Sequence, residues 1–522
     1  MLFLINNLNL APDKDESDLL PLIRKQYNLS SLRLVRILRK SLDARKKDNI
    51  CYKYNVIIET DNDAELPEHE EISVWEEKPE MPEIQSAKKL KVIIAGAGPA
   101  GLFCALRLAE AGANVTLLER GKAAHERLDD ILTLENHGIL STESNVLFGE
   151  GGAGLYSDGK LTARTRSIES AWLFRTLIEC GAAPDIACLA KPHIGTDRLR
   201  EILPAIRKRI ANTSSQVIFS SRVTSLIVKD GRCSGVETSD GKEYIADAVV
   251  LATGHSARDT YQMLAHKNVI MGKKDFAAGL RIEHPAELIR EIQYGKSKYA
   301  PILPNAEYFL SMANDASGRG IYSFCMCPGG FVVNASSEKG MLNLNGMSYS
   351  ARDGKFSNAA LVVSVKASDC HDGALGGIDF QRGMEHAAFH ASDGTAAPAQ
   401  RLTSFMKNKI DSSLPECSYP AGVTPRSVRD YIPRFVYESI AAAIPIFERK
   451  MRGFLSHEAL LIGAETRTSS PVRILRNEYH QSLSHPGLFP TGEGAGYAGG
   501  IVSSAVDGIR TADFILQTSS NL

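Results

Sequence analysis

The chain has 522 residues, of which 43% are hydrophobic, and this predicts two or three domains with ordinary packed cores. Its 60 basic and 61 acidic residues leave a net charge of −1, so no overall field would attract nucleic acid or a membrane surface. The sequence predicts neither a membrane span nor a signal peptide, and its nine scattered cysteines are typical of a reduced, cytoplasmic protein.

Residues 1–87 predict a small α+β domain followed by a linker. The predicted parts are strands at 2–10, 32–42 and 52–59, a helix at 17–27 and an acidic linker at 61–89. The run from Arg33 to Lys47 is strongly basic but contains no aromatic residue. We interpret it as a solvated face balanced by the acidic linker, and a nucleic-acid surface is the alternative.

Residues 91–120 carry a dinucleotide-binding pattern: an apolar strand, a G-x-G-x-x-G motif, an amphipathic helix and a second strand. Gly96 permits the tight turn, Gly98 lets the backbone approach a pyrophosphate, and Gly101 lets the helix pack against the sheet. Glu119, at the end of the second strand, can accept hydrogen bonds from a ribose. This order of parts favours a dinucleotide site over a glycine-rich turn in an unrelated α/β domain.

Three later segments extend the pattern. Residues 149–164 form a second glycine-rich loop that ends with polar side chains, among them Ser157, Asp158 and Lys160. An apolar strand at 248–251 runs into an Ala-Thr-Gly sequence, after short strands that include 223–228. Residues 487–501 are again rich in glycine and precede a helix of small residues. The nucleotide-binding domain is therefore predicted to consist of two separate pieces of the chain.

Between these pieces, residues 271–470 predict an inserted α+β domain. Cys325 and Cys327 occupy alternate positions of a predicted strand, so both thiols would lie on one face. A strained disulfide between them would be easily reduced and could exchange electrons with a cofactor. Two small buried thiols that pack before a turn are the alternative. Cysteines at metal-binding spacing are absent, so we predict no metal site.

The first glycine motif, the Ala-Thr-Gly strand and the Thr-Gly-Glu segment at 491–493 resemble the two-dinucleotide-binding-domain flavoproteins, the glutathione-reductase-like superfamily. The resemblance implies that FAD binds with its pyrophosphate on the first motif and its adenosine ribose on Glu119. Glu493 stands where that superfamily usually has Asp. The helix that begins near Gly500 would then direct its N–H groups at the flavin.

A narrower resemblance rests on residues 149–164, 191–197, 324–330 and 492–500. Together they are similar to a bacterial family of uncharacterised FAD-dependent dehydrogenases, over most of the chain. In the wider superfamily the segment at 149–160 lies along the flavin face, which would bring Lys160 near flavin N5. That segment lacks the paired cysteines of disulfide reductases, which argues against their mechanism.

We therefore predict an α/β protein. It would have a Rossmann-like FAD-binding domain in two pieces, 88–270 and 471–522, an inserted α+β substrate domain, 271–470, and a small N-terminal α+β domain, 1–87. The predicted reaction is hydride transfer between a small substrate and flavin N5, with NAD(P)H as a possible partner. The alternatives are a flavin-dependent tRNA-modifying protein and a non-catalytic FAD-binding protein.

Two sets of site residues follow from these patterns, with His193 and Arg467 as further polar candidates near the cofactor. The predicted catalytic residues are Lys160, His255, Cys325 and Cys327. The predicted FAD-binding residues are Gly96, Gly98, Pro99, Ala100, Gly101, Glu119, Arg120, Gly152, Lys160, Val223, Ala252, Thr253, Gly254, Gly492, Glu493, Gly500 and Ile501.

Overall fold

The structure is a computed structural model, and it describes residues 1–28, 32–60, 70–77, 79–82, 87, 89–162, 167–313, 317–392 and 396–519. Parts of the predicted linker at 61–89, the predicted domain start at residue 88 and the end of the 149–164 segment lie outside the described residues. Among the described residues, no helix has both the length and the apolar character that a membrane span requires.

The described residues form eleven α-helices and 23 strands. The helices are α1 (Leu19–Tyr27), α2 (Pro99–Glu110), α3 (Arg127–His137), α4 (Ile168–Glu179), α5 (Thr196–Ala211), α6 (Arg258–His266), α7 (Ala286–Tyr294), α8 (Gly376–His390), α9 (Leu402–Met406), α10 (Arg434–Lys450) and α11 (Ile501–Ser519). The strands are β1 (Leu2–Leu10), β2 (Leu32–Asp43), β3 (Cys51–Thr60), β4 (Ile72–Val74), β5 (Lys91–Ala95), β6 (Asn114–Leu118), β7 (Gln216–Ile218), β8 (Val223–Lys229), β9 (Arg232–Thr238), β10 (Glu243–Ile245), β11 (Ala248–Leu251), β12 (Met271–Lys273), β13 (Phe276–Pro285), β14 (Ser311–Met312), β15 (Ile321–Cys327), β16 (Phe331–Asn334), β17 (Leu344–Met347), β18 (Phe356–Val365), β19 (Ala397–Arg401), β20 (Val423–Pro425), β21 (Leu460–Glu465), β22 (Val472–Ile474) and β23 (Leu488–Pro490).

The N-terminal region is an antiparallel sheet with the strand order β2-β3-β1-β4 and the helix α1 packed on it. Leu19 and Ile23 of α1 are buried, because residues four apart lie on the same face of a helix. The sequence predicted three strands here. The structure adds β4, which pairs with the free edge of β1.

A parallel sheet with the order β23-β11-β5-β6-β7 forms the centre of the molecule. The chain runs from β5 to β6 and β7 on one side and later returns to β11 and β23 on the other. The strand order therefore reverses next to β5. Ligands of such sheets bind outside the carboxyl ends of the strands at this reversal, so the place to look for a site lies beyond Ala95 and Leu251.

Helices α2 and α11 pack against each other beside this sheet. Residues 100–109 of α2 are all buried. A Cβ atom at Gly508 of α11 would overlap the carbonyl oxygen of Ala100 in α2. Only a glycine allows the two backbones to approach this closely, and the approach fixes the relative position of the two helices.

A second large sheet has seven strands in the order β14-β15-β18-β13-β21-β19-β20 and has its own hydrophobic core. Its neighbours are antiparallel except β19 and β20. The central strands β13 and β18 are buried along most of their length, and α10 and α8 pack against the sheet. The predicted α/β fold class with a Rossmann-like sheet is confirmed.

The N-terminal region contacts both larger parts of the molecule. The N–H of Lys40 in β2 donates to the carbonyl of Cys188 at 2.8 Å, and the N–H of Ala190 donates to the carbonyl of Lys40 at 2.8 Å. Ile50, which follows β2, is buried in the core of the seven-stranded sheet. The short segment from Lys40 to Ile50 is thus hydrogen-bonded to the chain before α5 and packed into the core of the seven-stranded sheet.

Candidate functional site

A cleft of about 430 Å³ opens beyond the carboxyl ends of β5 and β11, where the reversal of strand order predicts a ligand site. One side of the cleft is lined by glycine turns and by the first residues of α2 and α11. The other side is lined by residues of β15, the β16–β17 hairpin and the end of β21. The cleft therefore lies between the parallel sheet and the seven-stranded sheet.

The turn between β5 and α2 has the backbone that the glycine motif predicts. Gly96 has a φ of +104°, a conformation that favours glycine, and a Cβ there would overlap the carbonyl oxygen of Ala252. A Cβ at Gly101 would overlap the carbonyl oxygen of Gly96. These two glycines therefore serve the packing of the turn, as the sequence predicted for a strand-to-helix turn.

Other glycines leave open space towards the cleft. Gly98, Gly254 and Gly500 line it, and a Cβ built on any of them would meet no protein atom within 4 Å. Gly98 caps α2, and Gly500 immediately precedes α11, so the free N–H groups of two helix starts lie at the same cleft. An elongated, anionic dinucleotide such as FAD fits this lining.

Glu119 is buried at this end of the cleft and is bound by three backbone N–H groups. Its Oε1 accepts from Gly121 at 2.9 Å and from Gly149 at 3.0 Å, and its Oε2 accepts from Ala97 at 2.7 Å. The carboxylate therefore ties three loops together. Because an ionised carboxylate oxygen can accept two hydrogen bonds, Oε2 retains the capacity to accept one from a ribose.

The glycine-rich loop at 149–160 is held from behind by Arg127, which is fully buried. Its guanidinium donates to the carbonyls of Asn145, Glu150 and Gly152, at 2.6 to 3.2 Å. Burial lowers the pKa of Arg127 to about 10. Sequence reasoning missed this residue, because nothing in the surrounding helix pattern distinguishes it from a surface arginine.

Lys160 lines the cleft and is fixed by a buried carboxylate. Its Nζ lies 2.6 Å from Oδ2 of Asp158 and also donates to the carbonyl of Met326. Asp158 is fully buried and receives a second cation, Arg352, whose Nε lies 2.9 Å from Oδ1. Burial opposes the charge of Lys160, but Asp158 outweighs it together with the nearby thiols, so the pKa of Lys160 is raised.

The expected strand alternation of Cys325 and Cys327 is wrong. The pairing of β15 with β18 shifts register between Phe324 and Cys327, and Cys325 has a φ of +43°. The chain therefore bulges at Cys325, and the two thiols do not follow the two-residue alternation of a regular strand. Cys325 lines the cleft, whereas Cys327 is fully buried and does not.

The two thiols nevertheless lie next to each other and differ in charge. The pKa of Cys325 is lowered to about 6, because a hydrogen bond from Cys327 and the charges of Lys160 and Arg281 together outweigh the effect of burial. The same hydrogen bond, together with burial, raises the pKa of Cys327 well above its usual value. These shifts favour the thiolate form at Cys325 and the thiol form at Cys327.

His255 and Glu493 form a pair on the opposite wall of the cleft, after the ends of β11 and β23. Nδ1 of His255 lies 3.3 Å from Oε1 of Glu493. The carboxylate contacts the ring through Nδ1, and Nε2 takes no part in this contact. Glu493 was predicted as a cofactor ligand, and the structure adds its contact with His255.

Arg467 also lines the cleft, but its guanidinium is already paired. It donates to both oxygens of the fully buried Glu385, at 2.9 and 2.8 Å, and to Ser337 at 2.7 Å. Nη2 of Arg258 also binds Oε1 of Glu385, at 2.7 Å. Despite burial, the two arginines hold the pKa of Glu385 well below its usual range.

Most predicted site residues meet at this cleft. All but two of the predicted FAD-binding residues line it, and the exceptions are Gly101 and Gly492, whose N–H donates to Asp507. His193 does not line it either and instead contacts the carbonyl of Ser350. Among the described residues, no group of three or more histidine, cysteine or acidic side chains could hold a metal ion.

Sequence reasoning missed the ion pair between Arg281 and Glu465, of which Glu465 lines the cleft. Nη1 of Arg281 lies 2.9 Å from Oε2 of Glu465, and both side chains are buried. A signal was present, because a charged residue in the apolar run of β13 needs a buried partner. The identity of that partner depends on the pairing of β13 with β21, which the sequence pattern does not reveal.

Three family models match the chain. The model "Pyridine nucleotide-disulphide oxidoreductase" matches residues 90–287, and "FAD-dependent protein, C-terminal domain-like" matches residues 275–468. A domain of unknown function matches residues 2–59. An uncharacterized protein of Clostridium beijerinckii is 42% identical over 524 residues, which covers 98% of each chain.

The fold, the cleft and these matches define a flavoprotein that binds FAD. The chain belongs to a family of uncharacterised FAD-dependent oxidoreductases, as its sequence motifs predicted.

More distant likenesses are partial. The tRNA uridine 5-carboxymethylaminomethyl modification enzyme MnmG of Bacillus thuringiensis (strain Al Hakam) is 26% identical over 208 residues, which is 40% of this chain and 29% of that enzyme. A structure of the flavin-dependent brominase Bmp2, a triple mutant, covers 83% of this chain and 81% of its own, with 13% identity and a TM-score of 0.39. That likeness is too low to bear on function.

The basic run also gives little support to the tRNA alternative. Arg33 and Arg36 in β2 pair with Glu59 and Glu77, and Lys40 pairs with Glu16 at 2.7 Å. These charges are neutralised within the N-terminal region. With only 29% of MnmG matched, a flavin-dependent tRNA-modifying protein is not favoured.

Proposed function

We propose that the protein is an FAD-dependent dehydrogenase that transfers hydride between a small organic substrate and N5 of the flavin. The observation that supports this most directly is the convergence of Lys160, His255 and Cys325 on the same cleft as the glycine turns. Its volume of about 430 Å³ falls in the size range of small-molecule sites, roughly 300 to 1,000 Å³.

We assign the holding of the cofactor mainly to the backbone. The turn at Gly98 and the start of α2 would bind the pyrophosphate, Glu119 would accept from the adenosine ribose, and the start of α11 would face the flavin. When bound, FAD would supply the two-electron acceptor for hydride transfer.

The chain's own reactive groups have distinct proposed roles. His255, held by Glu493, would donate or accept the proton that accompanies hydride transfer, through Nε2. Lys160, whose charge Asp158 stabilises, would supply a fixed cation near the flavin. Cys325 would present its thiolate to the cleft, with Cys327 beneath it. The cysteines are all free, which suits the reducing cytoplasm that we propose as its location.

The first experiment is anaerobic stopped-flow of the purified yellow protein against NADH and NADPH, followed at the main visible flavin band. Rapid bleaching by either would support a nicotinamide-dependent reductase. If neither bleaches the flavin, panels of alcohols, amines and other reduced small molecules replace them, and bleaching by one of these supports a dehydrogenase. If dithionite reduces the flavin but no organic hydride donor does, the proposed hydride transfer is contradicted and a non-catalytic FAD-binding protein is left.

A further inference from the structure

We propose that Cys325 and Cys327 form a redox pair that closes to a disulfide and opens again by exchanging two electrons with the bound FAD. The inference rests on the proposed function only in taking its electrons from a reduced flavin. It would give the chain a second two-electron centre, and Cys325 would be its reactive member.

The geometry separates the two cysteines by role. Cys325 is at the crest of the bulge and lines the cleft, whereas Cys327 lies beneath it and is fully buried. The Sγ of Cys327 lies 3.4 Å from the carbonyl oxygen of Cys325. A partner entering the cleft can thus reach Cys325, whereas Cys327 does not line the cleft.

Arg281 contacts both cysteines through one nitrogen of its guanidinium. Its Nη2 donates to the carbonyl of Cys325 at 2.8 Å and lies 3.4 Å from the Sγ of Cys327. Arg281 is itself fixed, because it is fully buried and bound to Glu465 and Asn358. The surrounding structure therefore imposes the positive φ of Cys325, an unusual backbone for a non-glycine residue that is often found at functional sites.

The charges around the pair match the products of opening a disulfide. Lys160 and Arg281 both favour a thiolate at Cys325, and its pKa of about 6 follows from them and from the hydrogen bond that Cys327 donates. Cys327 keeps its proton. A thiolate that is stabilised in this way is also a good leaving group.

The reductive step balances as follows for the pair. The disulfide takes two electrons and one proton from reduced FAD, the S–S bond breaks, Cys325 leaves as a thiolate and Cys327 becomes a thiol. Reduced FAD, having lost the equivalent of a hydride, returns to its oxidised form. In the opposite direction the thiolate and the thiol lose the same two electrons and one proton, and the S–S bond forms.

The test is an anaerobic dithionite titration of full-length yellow protein that has been oxidised with diamide and then freed of it. Wild type should take up four electrons per FAD, and Cys327→Ser should take up two. Cys417→Ser removes another half-buried thiol and should still take up four. If Cys327→Ser does not fold, Cys325→Ser replaces it with the same expected result. Uptake of two electrons by wild type would overturn the proposal.

A second readout does not depend on turnover. After oxidation and alkylation, the peptide that holds both cysteines should be lighter by two hydrogens and carry no alkyl group, and after reduction it should carry two. An oxidised wild-type peptide that still carries two alkyl groups would also overturn the proposal.

The role of FAD is tested with the Gly98→Trp variant, in which the cofactor site is blocked. Its diamide-oxidised disulfide should remain closed over the time in which dithionite opens that of the yellow protein. Opening at the same rate without FAD would refute the exchange with flavin. If no organic donor reduces the flavin but dithionite still delivers four electrons, the result supports the redox pair and contradicts the proposed hydride transfer from an organic donor.

Discussion

The two ends of the cleft are built by different means. At the cofactor end, glycine turns, helix starts and one carboxylate bound by three backbone N–H groups form the lining. On the side that we propose for the substrate, three buried carboxylates pair with arginines far away in sequence. Asp158 and Arg352 are 194 residues apart, Arg281 and Glu465 are 184 apart, and Glu385 and Arg467 are 82 apart.

The difference has a mechanical meaning. The end lined by glycine turns and helix starts, called the backbone end, needs open space. A single added side chain there can prevent cofactor binding while the fold remains intact. The ion-paired end needs charge balance and can lose the fold itself, because removing one partner leaves an uncompensated buried charge.

The largest expected effect is at the backbone end. Gly98→Trp should abolish FAD binding, because its side chain would fill the open space beside the start of α2 while touching no protein atom at its Cβ. The measurement is the ratio of visible flavin absorbance to protein absorbance after purification, together with a thermal melt. The matched control is Gly383→Trp, at an exposed position of α8 with equally open space, which should stay yellow. A fully yellow Gly98→Trp protein would refute the assigned pyrophosphate site.

At the ion-paired end, Glu385→Gln should lower the free energy of unfolding by roughly 3 to 5 kcal/mol, since two buried arginines lose their shared carboxylate. Urea unfolding measures the change. Glu438→Gln removes a carboxylate from an exposed pair with Arg434 and should cost about 1 kcal/mol or less. Equal losses in both variants would contradict the structural role given to the buried network.

His255→Asn should slow flavin reduction by the active donor about 100-fold, because the variant cannot transfer the proton. Its FAD content should match that of wild type. His266→Asn, at the exposed end of α6, is the control and should react at the wild-type rate. The contrary finding is a wild-type rate in His255→Asn, which would assign His255 to positioning Glu493 alone.

Cys325 should be alkylated about tenfold faster at pH 7 than at pH 5, because thiolate forms as the pH rises through its pKa of about 6. The lowered pKa also means that stability from this group is present above the unfolded pKa and is lost as the pH falls through about 6. Rates from iodoacetamide labelling and mass spectrometry of the peptide give the profile. A midpoint near the ordinary thiol value would show that Cys327, Lys160 and Arg281 do not stabilise the thiolate of Cys325.

The smallest effect is expected in the N-terminal region. Arg33→Ala and Arg36→Ala break exposed ion pairs with Glu59 and Glu77 and should each change stability by less than about 1 kcal/mol. Neither should alter the binding of tRNA measured at low salt by filter retention. A clear, salt-sensitive loss of tRNA binding would revive the nucleic-acid interpretation.

The contrast also explains what the sequence could predict. The strand, turn and helix around Gly98 were predictable, because glycine spacing there reflects local backbone needs, and most predicted FAD-binding residues line the cleft. The bulge at Cys325 could not be predicted, because it arises from a shift in the register between β15 and β18. The partners of Asp158 and Arg281 were also hidden, because they depend on which strands and loops meet in three dimensions.

The attachment of the N-terminal sheet limits how the cleft can open. The parallel and seven-stranded sheets face each other across the cleft, and a hinge between them would be the simplest way to admit a substrate. Such a rotation would have to break the backbone bonds of Lys40 to residues 188 and 190 or pull Ile50 out of its core. The small N-terminal sheet therefore joins the two sheets that border the cleft and opposes their rotation away from each other.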